Sequence, residues 1–246
     1  MNFVRALWRL AAALGQALAG ALICALCFPF LAPPQRMAQV GRWSRRMLRA
    51  LGIRLEARGA IHAGPLLVVA NHVSWVDILA VNALHPVRFV SKADVKRWPL
   101  LGFMVASGGT LFIERERKRD ALRVVHQIAE ALRAGDIVAV FPEGTTSDGH
   151  DVLPFHANLL QAAIATGAPV QPLVLRYRDA QAKVSQAPAY VGDTSLAASL
   201  WATVTADELV AEVIAENAQG TRHADRRALA EHLRETILGR LNEGRE

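Results

Sequence analysis

The chain opens with a long run of residues that carries no charge. Between residues 10 and 32 there is no acid and no base. At about 1.5 Å per helical residue that run covers a hydrocarbon core of roughly 30 Å. Pro29 shortens the usable helix, and a monotopic helical hairpin is the alternative to a full crossing. Arg5 and Arg9 in front of the run also fit a signal peptide, but no convincing small-x-small cleavage site stands before the next arginines. Beyond Pro33 and Pro34 the sequence reads QRMAQVGRWSRRMLRALG. A helical step of about 100° gathers Met37, Val40, Trp43, Met47, Leu48 and Leu51 on one side and sets Arg42, Arg45, Arg46 and Arg49 opposite. Two readings share this periodicity: a helix in the membrane interface with arginines toward lipid phosphates, or an amphipathic helix packed on a domain. Its place beside an apolar run favours the first.

The rest of the chain alternates between two periods. IRLEA, PLLVVA, VRFVS, TLFI, IVAVF and VQPLVL are short apolar runs that read as strands of a sheet covered on both faces. Residues 118–134 place Ala121, Leu122, Val125, Ile128, Ala129 and Leu132 on one helical face and stop at Gly135. Residues 156–166 form a further helix, and residues 225–241 carry Leu229, Leu233 and Ile237 at four-residue spacing. ELVAEVIAE fits strand or helix equally. The organisation expected is an α/β fold: a single mixed-sheet domain over residues 52–246 with helices on both faces. A membrane-embedded helix and a basic amphipathic interfacial helix over residues 1–51 precede it.

Composition changes this picture mainly through charge. The formal net charge is +6 and 52% of residues are hydrophobic. Residues 1–58 hold nine arginines against one acid, Glu56, so the basicity belongs to the N-terminal region. Arginines beside an apolar run point to anionic lipid headgroups, whereas a nucleic-acid binder spreads its basic stripe over the folded domain. A membrane partner is expected, and no nucleic acid. The arginines flanking the run place the main domain on the cytoplasmic face, the inner membrane in a bacterium. Cys24 and Cys27 both lie inside the apolar run, with no second pair to complete a zinc site or a disulfide framework.

The chemistry collects where LLVVA ends. Asn71 and His72 follow the strand directly, and a helix starts near Trp75, which is where ligands gather in open α/β sheets. Asp77, five residues on, can accept the imidazole N–H and fix the tautomer, leaving the other ring nitrogen to take a proton from a hydroxyl. Ser74 and Asp77 also have the S-x-x-D spacing of a helix cap, so spacing alone leaves catalysis and capping both open.

Four blocks taken together carry a resemblance. NHVSWVD (71–77), GTLFIER (109–115), FPEGT (141–145) and APVQPLV (168–174) resemble, in order, the NH-x4-D, G-x-x-F-I-x-R, FPEGTR and late proline-strand motifs of the glycerolipid acyltransferases of the 1-acylglycerol-3-phosphate type. The resemblance implies a domain of that fold, with His72 held by Asp77 as general base and no cofactor. The base deprotonates the free hydroxyl of a lysolipid, which attacks an acyl thioester carried by coenzyme A or by acyl carrier protein. It also implies that Arg115, Glu143, Gly144, Thr145 and Thr146 hold the acceptor's polar head. The absence of a G-x-S-x-G elbow fits a route without an acyl-serine.

Two departures bear on the acceptor. Thr146 stands where the motif has arginine, which keeps a hydrogen bond and loses a charge. The segment after Phe155 has His156 and Asn158 in place of lysine and glycine. The resemblance implies 1-acylglycerol-3-phosphate as acceptor, giving phosphatidic acid; the two departures motivate another lysolipid such as lyso-ornithine lipid as the first alternative, and a catalytically silent membrane-binding module is the second. His150, Asp151 and His156 match no helical metal-ligand spacing, so no metal is expected. Lys92, Lys96 and Arg97 suit donor phosphates, an acidic carrier protein or plain solvent.

Overall fold

The computed structural model describes residues 3–98, 100–113 and 118–243. A seven-stranded sheet has the order β1-β7-β6-β2-β5-β3-β4. Its strands are β1 (Arg54–Arg58), β2 (Leu66–Ala70), β3 (Arg88–Lys92), β4 (Leu111–Ile113), β5 (Ile137–Val140), β6 (Val170–Arg178) and β7 (Val210–Ala215). All neighbours are parallel except β6 and β7, so β1 and β7 run against the other five strands. The ambiguous segment around Val210 is thus a strand, flanked by β1 and β6. With neighbours on both sides, a β-branched run completes more hydrogen bonds as a strand than as a lone helical turn.

The helices are α1 (Phe3–Leu26), α2 (Pro33–Leu51), α3 (Val76–Leu84), α4 (Leu101–Ser107), α5 (Lys118–Arg133), α6 (Gln161–Thr166), α7 (Leu196–Thr205) and α8 (Arg226–Glu243). Along β2 the side chains alternate between two cores. Leu66, Val68 and Ala70 join α1, α2, α3 and α7, while Leu67 and Val69 join α5, α6 and the start of α8. All five residues of β2 are buried, as expected for a central parallel strand. The short α4 and α7 have no counterpart in the sequence reading, because α4 lacks a full apolar period and α7 is apolar nearly all round. Ser195 caps α7 by accepting from the Ala198 amide. The buried stripe of α5 is set by Val124, Ile128, Ala131 and Leu132, and Leu122, placed by periodicity on the inner face, is 64% exposed.

The N-terminal hairpin is fastened to this domain. Ala6, Ala13, Met47, Leu48 and Leu51 belong to the same core as β2 and α3. Much of the apolar side of α2 therefore faces protein, and Arg45, on its basic side, donates to the Ala83 carbonyl at 2.7 Å. Gly41 lets α2 close on α3, since a Cβ there would stand 2.7 Å from Pro86 and 3.2 Å from the Asn82 carbonyl. On α1, a Cβ at Gly20 would stand 2.5 Å from both Trp43 and Met104. The Trp43 indole donates to the Gln16 carbonyl at 2.8 Å. Arg5 pairs with Asp207, and Arg9 donates to the Val204 and Ala206 carbonyls. The opposite face of α1 presents Trp8, Leu14, Leu18, Leu22 and Leu26, all more than half exposed.

Candidate active site

His72 stands just past the C-terminal end of β2, between β5 and β6. The Asn71 amide side chain locks this strand end, donating to the Leu175 carbonyl at 2.9 Å and accepting from the Leu175 amide at 2.8 Å. The chain then turns through His72, Val73 and Ser74 into α3. Asp77 enters on the first turn of that helix and points back into the loop. Its Oδ2 accepts from the His72 ring Nδ1 at 2.7 Å and from the Val73 and Ser74 amides at 2.7 and 2.9 Å. Its Oδ1 accepts from the Tyr177 hydroxyl at 2.6 Å.

The catalytic and capping readings of Asp77 thus coincide in one carboxylate. Four donors surround this fully buried group and offset its loss of hydration. Because the carboxylate accepts, Nδ1 carries the proton, and Nε2 on the opposite edge of the ring holds a lone pair in the neutral imidazole. The His72 side chain keeps 20% of its surface exposed. Its ring lies flat on Phe141, with centroids 4.0 Å apart and planes 7° from parallel. This leaves little rotational freedom to the imidazole.

Phe141 opens the block FPEGTT, and that block joins the site through its backbone. Glu143 is 4% exposed and turns inward: Oε1 accepts from the His72 amide at 2.6 Å and Oε2 from the Leu153 amide at 2.9 Å. Desolvation pushes its pKa up to about 7, against the pull of those amides. The Ser147 amide donates to the His72 carbonyl at 2.8 Å, closing a second link between the two loops. Gly144 takes φ +73°, a left-handed turn that favours glycine. Thr145 is exposed, and half-buried Thr146 donates its hydroxyl to the Tyr190 carbonyl. Arg115 lies outside the described residues.

Of the residues marked in the sequence, His72 and Asp77 meet directly. Glu143 reaches them through main chain, and Gly144, Thr145 and Thr146 share the adjoining loop. Sequence reading passed over Tyr177 and the lock made by Asn71. Tyr177 lies a hundred positions from its partner. The signal for it was a phenol on the inward-facing register of β6, after Leu173 and Leu175, since a buried hydroxyl requires an acceptor. His150, Asp151 and His156 form no cluster; Asp151 lies 3.9 Å from Arg234. Among the described residues no group of three His, Cys, Asp or Glu side chains is placed to hold a metal ion.

Residues 52–176, which hold every part of this site except Tyr177 and Tyr190, match the family model described as Acyltransferase. The chain belongs to that acyltransferase family. The enzyme is 39% identical over 211 residues to a 1-acyl-sn-glycerol-3-phosphate acyltransferase of Neisseria meningitidis, covering 83% of this chain and 81% of the relative. It is also 39% identical over 167 residues to a lyso-ornithine lipid O-acyltransferase of Pseudomonas aeruginosa, covering 68% and 64% respectively. Its fold matches the crystal structure of the 1-acyl-sn-glycerophosphate acyltransferase of Thermotoga maritima. The TM-score is 0.74 at 17% identity, over 98% of this chain and 95% of that one. The acyltransferase thus has the α/β domain with an apolar N-terminal helix that its sequence implied.

Proposed function

We propose that this acyltransferase esterifies the free hydroxyl of 1-acylglycerol-3-phosphate with an acyl chain from a coenzyme A or acyl carrier protein thioester, giving phosphatidic acid. The observation that carries the reading is the imidazole of His72, held at Nδ1 by a buried carboxylate and still partly open to solvent. Nε2 removes the hydroxyl proton as the oxygen attacks the thioester carbonyl carbon. The tetrahedral intermediate collapses by breaking the C–S bond, and the departing thiolate takes the proton back from Nε2. Asp77 stabilises the imidazolium between these steps, a contribution typically of 10²- to 10⁴-fold. Glu143 positions the site through main chain, its two oxygens accepting from the His72 and Leu153 amides.

A second acceptor is favoured by one specific feature. Thr146 supplies no cation where the related motif has arginine, and its hydroxyl proton is directed to Tyr190. A lyso-ornithine lipid, with no phosphate to neutralise, suits that position. Purified enzyme assayed with each acceptor and each donor, with products weighed by mass spectrometry, separates the two. Absence of phosphatidic acid from the phosphate acceptor, with ester formed on lyso-ornithine lipid, overturns the first reading in favour of the second.

The membrane placement follows from the hairpin. Arg5, Arg9, Gln16 and Gly20 touch the domain or α2 along much of α1, while the leucines of its other face are open. We infer that α1 lies in one leaflet as a monotopic seat, with Arg42, Arg46 and Arg49 near anionic headgroups and the catalytic domain on the cytoplasmic face.

A further inference from the structure

The excursion between β3 and β4 stands at the same edge of the sheet as His72. β3 ends at Lys92 on the C-terminal side of the parallel strands, next to β5. The chain then makes a 3-10 turn (Ala93–Arg97) and the short α4 (Leu101–Ser107) before returning as β4. Its apolar side chains are turned outward: Trp98 is 38% exposed, Leu100 40% and Phe103 48%. Monomeric soluble domains rarely leave such residues grouped in the open. Lys92, Lys96 and Arg97 come just before them in the same excursion, with the single acid Asp94.

The packing of α4 shows what these residues are continuous with. Met104, one residue beyond Phe103, contacts α1 where Gly20 leaves room, so the buried side of α4 is fixed to the membrane-seeking helix. Gly102 is equally constrained, since a Cβ there would stand 2.2 Å from the Lys96 carbonyl. The turn and α4 therefore form a closed unit that hides its small residues and presents Trp98, Leu100 and Phe103. Trp98, Leu100 and Phe103 thus stand on a unit anchored to the domain-facing side of α1, at the strand ends that carry the dyad. Tryptophan and phenylalanine with adjacent lysine and arginine is the chemistry of an anionic lipid interface.

We propose that the 3-10 turn and α4 form a second membrane-contacting leg, inserting Trp98, Leu100 and Phe103 beside anionic lipid headgroups held by Lys92, Lys96 and Arg97. With α1 as the first leg, two separated contacts fix the tilt of the domain and bring the His72 edge of the sheet to the bilayer surface. The acceptor then reaches Nε2 without leaving the lipid phase. This inference rests on the membrane seating of α1 given above and is independent of which lysolipid is acylated.

The test uses the full chain with Cys24 and Cys27 replaced by alanine and single spin-labelled cysteines at positions 18, 103 or 122. The protein is reconstituted on vesicles of phosphatidylcholine and phosphatidylglycerol. Relaxation by oxygen, which partitions into lipid, is compared with relaxation by a water-soluble nickel chelate. The expected result is a several-fold higher oxygen-to-nickel ratio at 18 and at 103 than at 122, which lies on α5 across the sheet. A lipid signal at 18 with a water signal at 103 overturns the second leg alone. Water signals at both overturn the seating of α1 and the proposal with it. Shielding of 103 only on addition of acyl carrier protein also overturns it, assigning the basic residues to a protein partner. In a functional arm, Phe103→Asp loses transfer to vesicle-borne acceptor several-fold and keeps transfer to a water-dispersed short-chain acceptor. Equal loss on both, with the folded protein intact, refutes a purely membrane role.

Discussion

Replacing Asp77 with asparagine separates the two tasks that meet in one side chain. An asparagine oxygen at the Oδ2 position still accepts from Val73, Ser74 and the His72 ring, and its amide group can donate to Tyr177, whose hydroxyl rotates to accept. Geometry survives while charge is lost. Hydrogen bonds to a charged group contribute roughly 1.5–3 kcal/mol and neutral ones about 0.5–1.5. Four weakened bonds thus give a gross loss of several kcal/mol. Relief from burying a charge offsets much of this, leaving a net stability cost on the order of 1–3 kcal/mol. The effect on turnover is far larger, because a neutral amide does not stabilise the imidazolium: a loss of about 10²- to 10⁴-fold in kcat is expected. Thiol release from acyl-CoA, followed with a thiol-reactive dye, reports kcat, and thermal unfolding in the same detergent reports the fold. A folded Asp77→Asn enzyme with kcat within about three-fold of wild type would refute the reasoning, since that shift is under 1 kcal/mol of transition-state stabilisation. It would leave Asp77 as a cap.

Tyr177→Phe removes the hydroxyl on Oδ1, costing roughly 1.5–3 kcal/mol of stability. It leaves Oδ1 of Asp77 without its buried donor, so the carboxylate holds the His72 ring less firmly and kcat falls; an unchanged kcat assigns Tyr177 to packing alone. Glu143 titrates from 4.5 in the unfolded chain to about 7 in the fold, so the folded state binds more protons between those values. Stability therefore falls as pH rises through that window, and Glu143→Gln flattens this slope in denaturant titrations. The same substitution sets an amide N–H2 against a backbone N–H, at about 1–3 kcal/mol, and lowers kcat more than it raises KM as the His72 loop loosens. Gly20→Val drives a side chain into Trp43 and Met104, so α1 separates from α2 and α4, and limited proteolysis cuts the hairpin earlier than in wild type.

Sequence alone determined what depends on neighbours along the chain. The short apolar runs located six of the seven strands, because a strand buried on both faces is written as such a run. His72 and Asp77 were legible for the same reason: a five-residue separation across a strand end and the first helical turn is local geometry. Tertiary structure decided what depends on partners far apart. Only strand pairing could resolve residues 210–215, whose pattern suits both periods. Only packing could turn much of the apolar side of α2 toward α1 and α3, since a helix that faces lipid and one that faces protein carry the same moment. Likewise the Tyr177 hydroxyl finds Asp77 through the neighbouring strands β2 and β6, and the two oxygens of Glu143 find the His72 and Leu153 amides by the closing of two loops. In three dimensions the Glu143 carboxylate braces two loops, because burial directs it to nearby N–H groups.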